Sequence, residues 1–192
     1  YFFTFNFNNM KLTYHIYIFI FCMSLLTVMS CSNNNENEQQ LITTVVYTLK
    51  DSLGNQVNLT FKDQDGDGGI APTLTMNGTI KSNTFYTGTI ELLNEAANPV
   101  EDITKEIEME SDVHQFFYEN NLGIQVGYSD YDINKYPIGL KTTVQTHNAG
   151  FGFFKIVLRH MPDKKANGVS NGNISLAGGE TDIELEFNIE VK

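Results

Sequence analysis

The chain has 192 residues, with 12 Lys and Arg against 23 Asp and Glu and a formal net charge of −11. A surface this acidic excludes recruitment to nucleic acid or anionic lipid headgroups by charge and instead attracts cations. Both cysteines, Cys22 and Cys31, lie near the start, so residues 32–192 hold no thiol for a disulfide framework, a zinc–thiolate site or a cysteine nucleophile.

In chain order, residues 1–9, YFFTFNFNN, read as upstream of a start at Met10. Lys11 and an apolar run through IYIFIFCMSLLTVMS then read as a secretory signal over 10–30. The apolar core falls short of the roughly 20 residues a bilayer requires. Val28-Met29-Ser30-Cys31 resembles the lipobox of bacterial lipoproteins. That resemblance implies cleavage before Cys31 and a covalent lipid on it, hence a membrane anchor. All the acidic residues follow Cys31, so cleavage, which removes Lys11, leaves a still more acidic domain. Residues 32–40, SNNNENEQQ, have no apolar side chain. They read as a flexible tether with an end-to-end distance of roughly 15–18 Å.

From Leu41 onward the hydropathy has a period of two. Ile183, Leu185, Phe187, Ile189 and Val191 alternate with Asp182, Glu184, Glu186, Asn188 and Glu190, the pattern of a strand with one wet face. QVNLTF and FKIVLRH repeat it, and further strand-like runs lie at 41–49, 84–93, 114–119, 123–128 and 138–146. About eight short strands with turn residues between them predict an all-β domain over 41–192, a single antiparallel Ig-like sandwich. Asn98 as cap, Pro99 at the first helical position and Glu101 three residues past the cap predict one short helix near 99–110. Glu101 and Lys105 would pair across one turn, with Val100, Ile103 and Ile107 on one face. A strand with Ile103, Ile107 and Met109 inward is the alternative.

Three groups of residues carry chemistry. If the helix continues, Glu106, Glu110 and His114 fall on one side at one-turn spacing, a donor set for a transition metal or for acid–base work. A solvated helix face is the alternative. His147 and His160 read as surface histidines at strand ends. Asp63, Asp65, Asp67 and Gly68 form D-x-D-x-D-G, the first half of an EF-hand calcium loop. Leu74 stands where the closing glutamate belongs and a strand leads in, so the expected site is a calcium loop on a β scaffold. Asp130, Asp132 and Asn134 repeat the spacing, but Lys135 occupies the glycine position. For both loops an ordinary Asp- and Gly-rich turn is the alternative.

DQDGDGGIAP, ITKEIEMESDVHQFFY, YSDYDINKYPIGL and AGGETDIELEFNIEVK together resemble a group of small flavobacterial-type envelope lipoproteins of Bacteroidetes. Members often carry the label "type 1 periplasmic binding fold superfamily protein". The resemblance covers nearly all of the chain after Cys31. It implies a lipoprotein of the cell envelope, in the outer membrane with either a periplasmic or a surface face, and it brings no catalytic residues. Two lobes of that named fold need about twice this length, whereas the residues read as β. The sequence has no GxSxG elbow, no HExxH and no phosphate-cradling glycine loop. The expectation is a non-catalytic binding or structural module, stabilised by calcium and facing a glycan or an envelope protein. A solute or glycan receptor is the alternative, with Tyr128, Tyr131 and Tyr136 as stacking residues, and a hydrolase ranks last.

Overall fold

The computed structural model describes residues 41–66 and 68–192. The signal segment, Cys31, the tether and Asp67 lie outside the described residues. Among the described residues no helix is long and apolar enough to cross a membrane.

Among the described residues ten strands and one α-helix follow one another: β1 (Thr44–Asp51), β2 (Gln56–Lys62), β3 (Thr73–Asn77), β4 (Phe85–Asn94), β5 (Glu101–Asp102), α1 (Ile103–Met109), β6 (His114–Asn120), β7 (Gln125–Tyr128), β8 (Lys141–Gln145), β9 (Gly150–His160) and β10 (Glu180–Val191). The larger sheet runs β3-β2-β1-β4-β8-β7, with β5 added to β4, and the smaller runs β10-β9-β6. All these pairings are antiparallel. The domain is an all-β antiparallel sandwich with one short helix.

The period of two decides which faces meet. Val45, Tyr47 and Leu49 of β1, Val57, Leu59 and Phe61 of β2, and Ile90 and Leu92 of β4 turn inward from the larger sheet. Phe116, Phe154, Ile156, Leu158, Leu185, Phe187 and Ile189 answer from the smaller one. Burying each of these large side chains contributes about 1.5–3 kcal/mol of transfer free energy. Tyr47 stacks on Phe154 with ring centroids 5.8 Å apart and 13° between planes. Its phenol meets the Thr142 hydroxyl at 2.7 Å, so the ring buries without an orphaned polar tip.

β3 is one element the sequence reading did not anticipate. Its residues TLTMN are short and mostly exposed, and it forms because β2 offers it an edge, with Leu74 opposite Phe61. Leu74, the position where an EF-hand would close, is therefore held in a ladder. The connection between β9 and β10 was likewise unmarked by periodicity. It folds across the outer face of the smaller sheet, where Val169 and Ala177 cover Phe117 and Val157.

The helix forms later than the sequence predicts. Glu101 and Asp102 first pair with Asn94 and Leu93, so the chain is still extended where a cap at Asn98 would have it coiled. Asp102 caps the helix by accepting from the Lys105 N–H. Lys105 pairs with Asp102 at 2.6 Å instead of with Glu101. Ile103 and Ile107 are buried as expected, while Val100 is exposed.

Candidate functional site

The first aspartate loop leaves the end of β2. The Asp63 N–H donates to the Thr43 carbonyl at 2.8 Å, which ties the loop root to the residue just before β1. Asp63 Oδ1 accepts from the Asp65 N–H at 3.3 Å, and Asp65 Oδ2 accepts from the Ile70 N–H at 3.1 Å. The Asp65 carboxylate folds over Gly68, where any added Cβ would overlap it. A side chain at position 68 would therefore displace the Asp65 carboxylate, while the left-handed backbone of this loop, with φ 63°, falls at Gly66. Asp63 and Asp65 each engage one oxygen with a loop N–H, and the other oxygen has no protein partner among the described residues. Among those residues no group of three or more His, Cys, Asp or Glu side chains is assembled for a metal.

The second loop satisfies its carboxylates internally. Both Asp130 oxygens accept backbone N–H groups, from Gly139 at 2.9 Å and Lys141 at 3.0 Å. Burial holds the Asp130 carboxyl above the usual carboxylate value, with these amides offsetting only part of that rise. Asp132 Oδ1 accepts from the N–H groups of Asn134 and Tyr136, at 2.8 and 2.9 Å. Its Oδ2 meets Lys164 Nζ at 3.0 Å. Lys164 also donates to the carbonyls of Ser111 at 2.6 Å and Pro137 at 3.0 Å. A single ammonium therefore sits among three oxygens in the place where a bound cation was expected, with its side chain 4 % exposed. Asp130 and Asp132, expected with Asn134 as calcium ligands, thus have every carboxylate oxygen engaged by a protein donor. Lys164 lies 32 residues from Asp132, so local spacing gave no sign of it. Tyr128 is committed too: its hydroxyl donates to the Phe116 carbonyl at 2.7 Å, and burial pushes it up to about 12.

Glu106, Glu110 and His114 do not share a helix face, because the helix stops at Met109 and His114 opens β6. No ion pair joins Glu106 to His114 among the described residues. The Glu106 carboxyl is pushed upward by burial and then by the neighbouring charges of Glu101, Glu110 and Asp102. His114 is 3 % exposed and sits elsewhere than predicted. Its Nδ1 lies 3.0 Å from the Glu110 carbonyl and 3.9 Å from the Glu110 carboxylate. Its ring stacks on His160, with centroids 4.8 Å apart and 9° between planes. Its Nε2 lies 3.7 Å from Asp182 Oδ2. Burial lowers the His114 pKa, and burial raises that of Asp182. His160 is half-buried in this cluster rather than on the surface. The cross-strand register His114↔His160 brings the rings together, and a register exists only once the sheet has formed.

On the outside of the molecule, a groove of about 520 Å³ is lined by Phe151, Phe153, Asn121, Asn188, Glu186 and Glu190, among others. Phe151 is 78 % exposed. Asn121 Oδ1 accepts from the Phe153 N–H at 2.9 Å, which leaves its amide N–H groups free to donate.

Comparison with protein families, curated proteins and solved structures finds no match.

Proposed function

We propose that this chain is a lipid-anchored protein of the cell envelope whose sandwich works as a non-catalytic binding or structural module, with calcium pinning the loop that starts at Asp63. The observation carrying the anchor is Val28-Met29-Ser30-Cys31, placed after Lys11 and a short apolar core and followed by nine polar residues. One acyl chain holds a protein on a membrane only marginally, so stable attachment takes more than one. Replacing Cys31 with Ser is expected to move the protein from the membrane to the soluble fraction of a bacterial host. Retention in the membrane fraction would remove the lipoprotein reading. The calcium part is supported by the contrast between the two loops. Asp63 and Asp65 keep carboxylate oxygens open to a hard cation, whereas Asp130 and Asp132 do not.

A second reading, a glycan receptor, is favoured by the groove beside Phe151. An exposed aromatic ring flanked by amides and carboxylates can stack on a sugar face and hydrogen-bond its hydroxyls. The expected result is retention of neutral oligosaccharides on a glycan array, lost in Phe151→Ala. An array that stays blank, or one unaffected by that change, removes this reading.

A further inference from the structure

The cluster of His114, Asp182 and His160 contains a contact that hydrogen bonding alone leaves unexplained. A carbonyl oxygen only accepts, so the Glu110 carbonyl 3.0 Å from His114 Nδ1 places the ring proton on Nδ1. In the neutral ring Nε2 is then a lone pair. It faces Asp182 Oδ2 at 3.7 Å, and that buried oxygen has no hydrogen-bond partner. Two acceptors facing each other repel unless a positive charge lies between them, either a second ring proton that makes an imidazolium–carboxylate pair or a bound cation. The separation is too long for a direct hydrogen bond. It suits two ligand atoms on either side of one ion at about 2.0–2.2 Å from each.

Two further features agree. Donation of the second ring N–H to a backbone carbonyl is the usual way a metal-binding histidine is oriented. Asp182 stands at the break in register between Thr181 and Ile183, where β10 bulges against β9. A bulge re-aims a side chain that the regular pleat would send elsewhere. We propose that His114 Nε2 and Asp182 Oδ2 are the preset half of a divalent transition-metal site, with His160 as the third ligand. The His160 ring stacks on His114 instead of pointing inward, so it completes the set by turning about its side-chain torsions. Two imidazoles and one carboxylate with an open fourth position suit zinc, and cobalt serves as its spectroscopic stand-in.

The test uses the full chain in detergent, titrated separately with zinc and with cobalt. The expected result is one ion per chain, visible cobalt d–d bands with no thiolate charge-transfer band, and a higher melting temperature with zinc. Zinc also shifts the Nε2 nitrogen resonance of His114. Asp182→Asn and His160→Gln, each checked for fold by circular dichroism, are expected to weaken binding at least tenfold. Failure of either ion to bind, a thiolate band, or unchanged affinity in both variants would overturn the assignment. If a variant does not fold, a His114 Nε2 resonance unmoved by zinc in the unmodified chain overturns it equally.

Discussion

At the scale of single residues, the molecule meets most of its buried polar groups with partners distant in sequence. Lys164 shows the consequence. Its ammonium is taken out of water and held by the Asp132 carboxylate and two carbonyls, and burial lowers its pKa despite them. Removing one partner of a buried pair leaves an uncompensated charge, and this typically costs about 3–5 kcal/mol. Asp132→Ala is therefore expected to lower the unfolding free energy by about that amount, read as a lower urea midpoint. A Lys164→Met, Asp132→Asn double variant should recover much of it, since no charge is then left unpaired. Asp51 acts in the opposite direction. Its carboxylate accepts from the side chain and backbone of Asn55, from Leu53 N–H and from Lys81. These bonds, the Asn55 side chain first, hold its pKa below the usual carboxylate value. A carboxyl with a depressed folded-state pKa stabilises the fold above its unfolded-state pKa, and this contribution is lost as pH falls through the folded-state value. Thermal melts from pH 5 down to pH 2 should show that loss in the natural chain and a shallower one in Asp51→Asn.

At the scale of elements, α1 and β4 are set by what they pack against. Seven residues are too few for an isolated helix, so α1 exists because Ile103 and Ile107 are buried in the core. Ile107→Ala is expected to destabilise the domain by about 2–5 kcal/mol, read as a lower denaturant midpoint. In β4, Gly88 lies directly beneath the Tyr47–Thr142 hydrogen bond, and an added Cβ would overlap both hydroxyls. Gly88→Ala is expected to lower the melting temperature, and Thr142→Ala combined with it should make the second change less harmful than it is alone. Strand positions were legible because one face is wet and one dry, which writes a period of two into the chain. The helix boundary was not legible at Asn98–Pro99. The capping rules describe an isolated helix, while here a two-residue ladder with β4 keeps the chain extended as far as Asp102.

At the scale of the whole molecule, calcium binding to the first loop would act through mass action on the folded state. A weak site at millimolar calcium adds only about 0.4–1.4 kcal/mol, so excess calcium is needed for a readable shift. A higher melting temperature in excess calcium, reversed by chelator and missing from an Asp63→Asn, Asp65→Asn double variant, is the expected result. An unchanged melt in the natural chain would remove calcium from the account. Zinc and calcium are distinguishable here, because the double variant leaves His114, His160 and Asp182 intact.

The sequence by itself determined the fold class, the approximate positions of eight strands and the inward residues of three of them, and it placed a short helix near 99–110 with a strand as the alternative. Alternation and local turn chemistry are properties of neighbouring residues, so they survive in a linear string. It also supplied the expectations for Cys31 and the first aspartate loop, which rest on contiguous residues in the same way. Only the tertiary structure decided that Lys164 stands in the second loop, that Leu74 belongs to an edge strand, and that His114 faces Asp182 and stacks on His160. Those relations join residues tens of positions apart through strand register and a bulge. The physical reason is that a short stretch specifies which face of a strand is apolar, but which side chains from other strands meet it is specified by the packing of the whole chain.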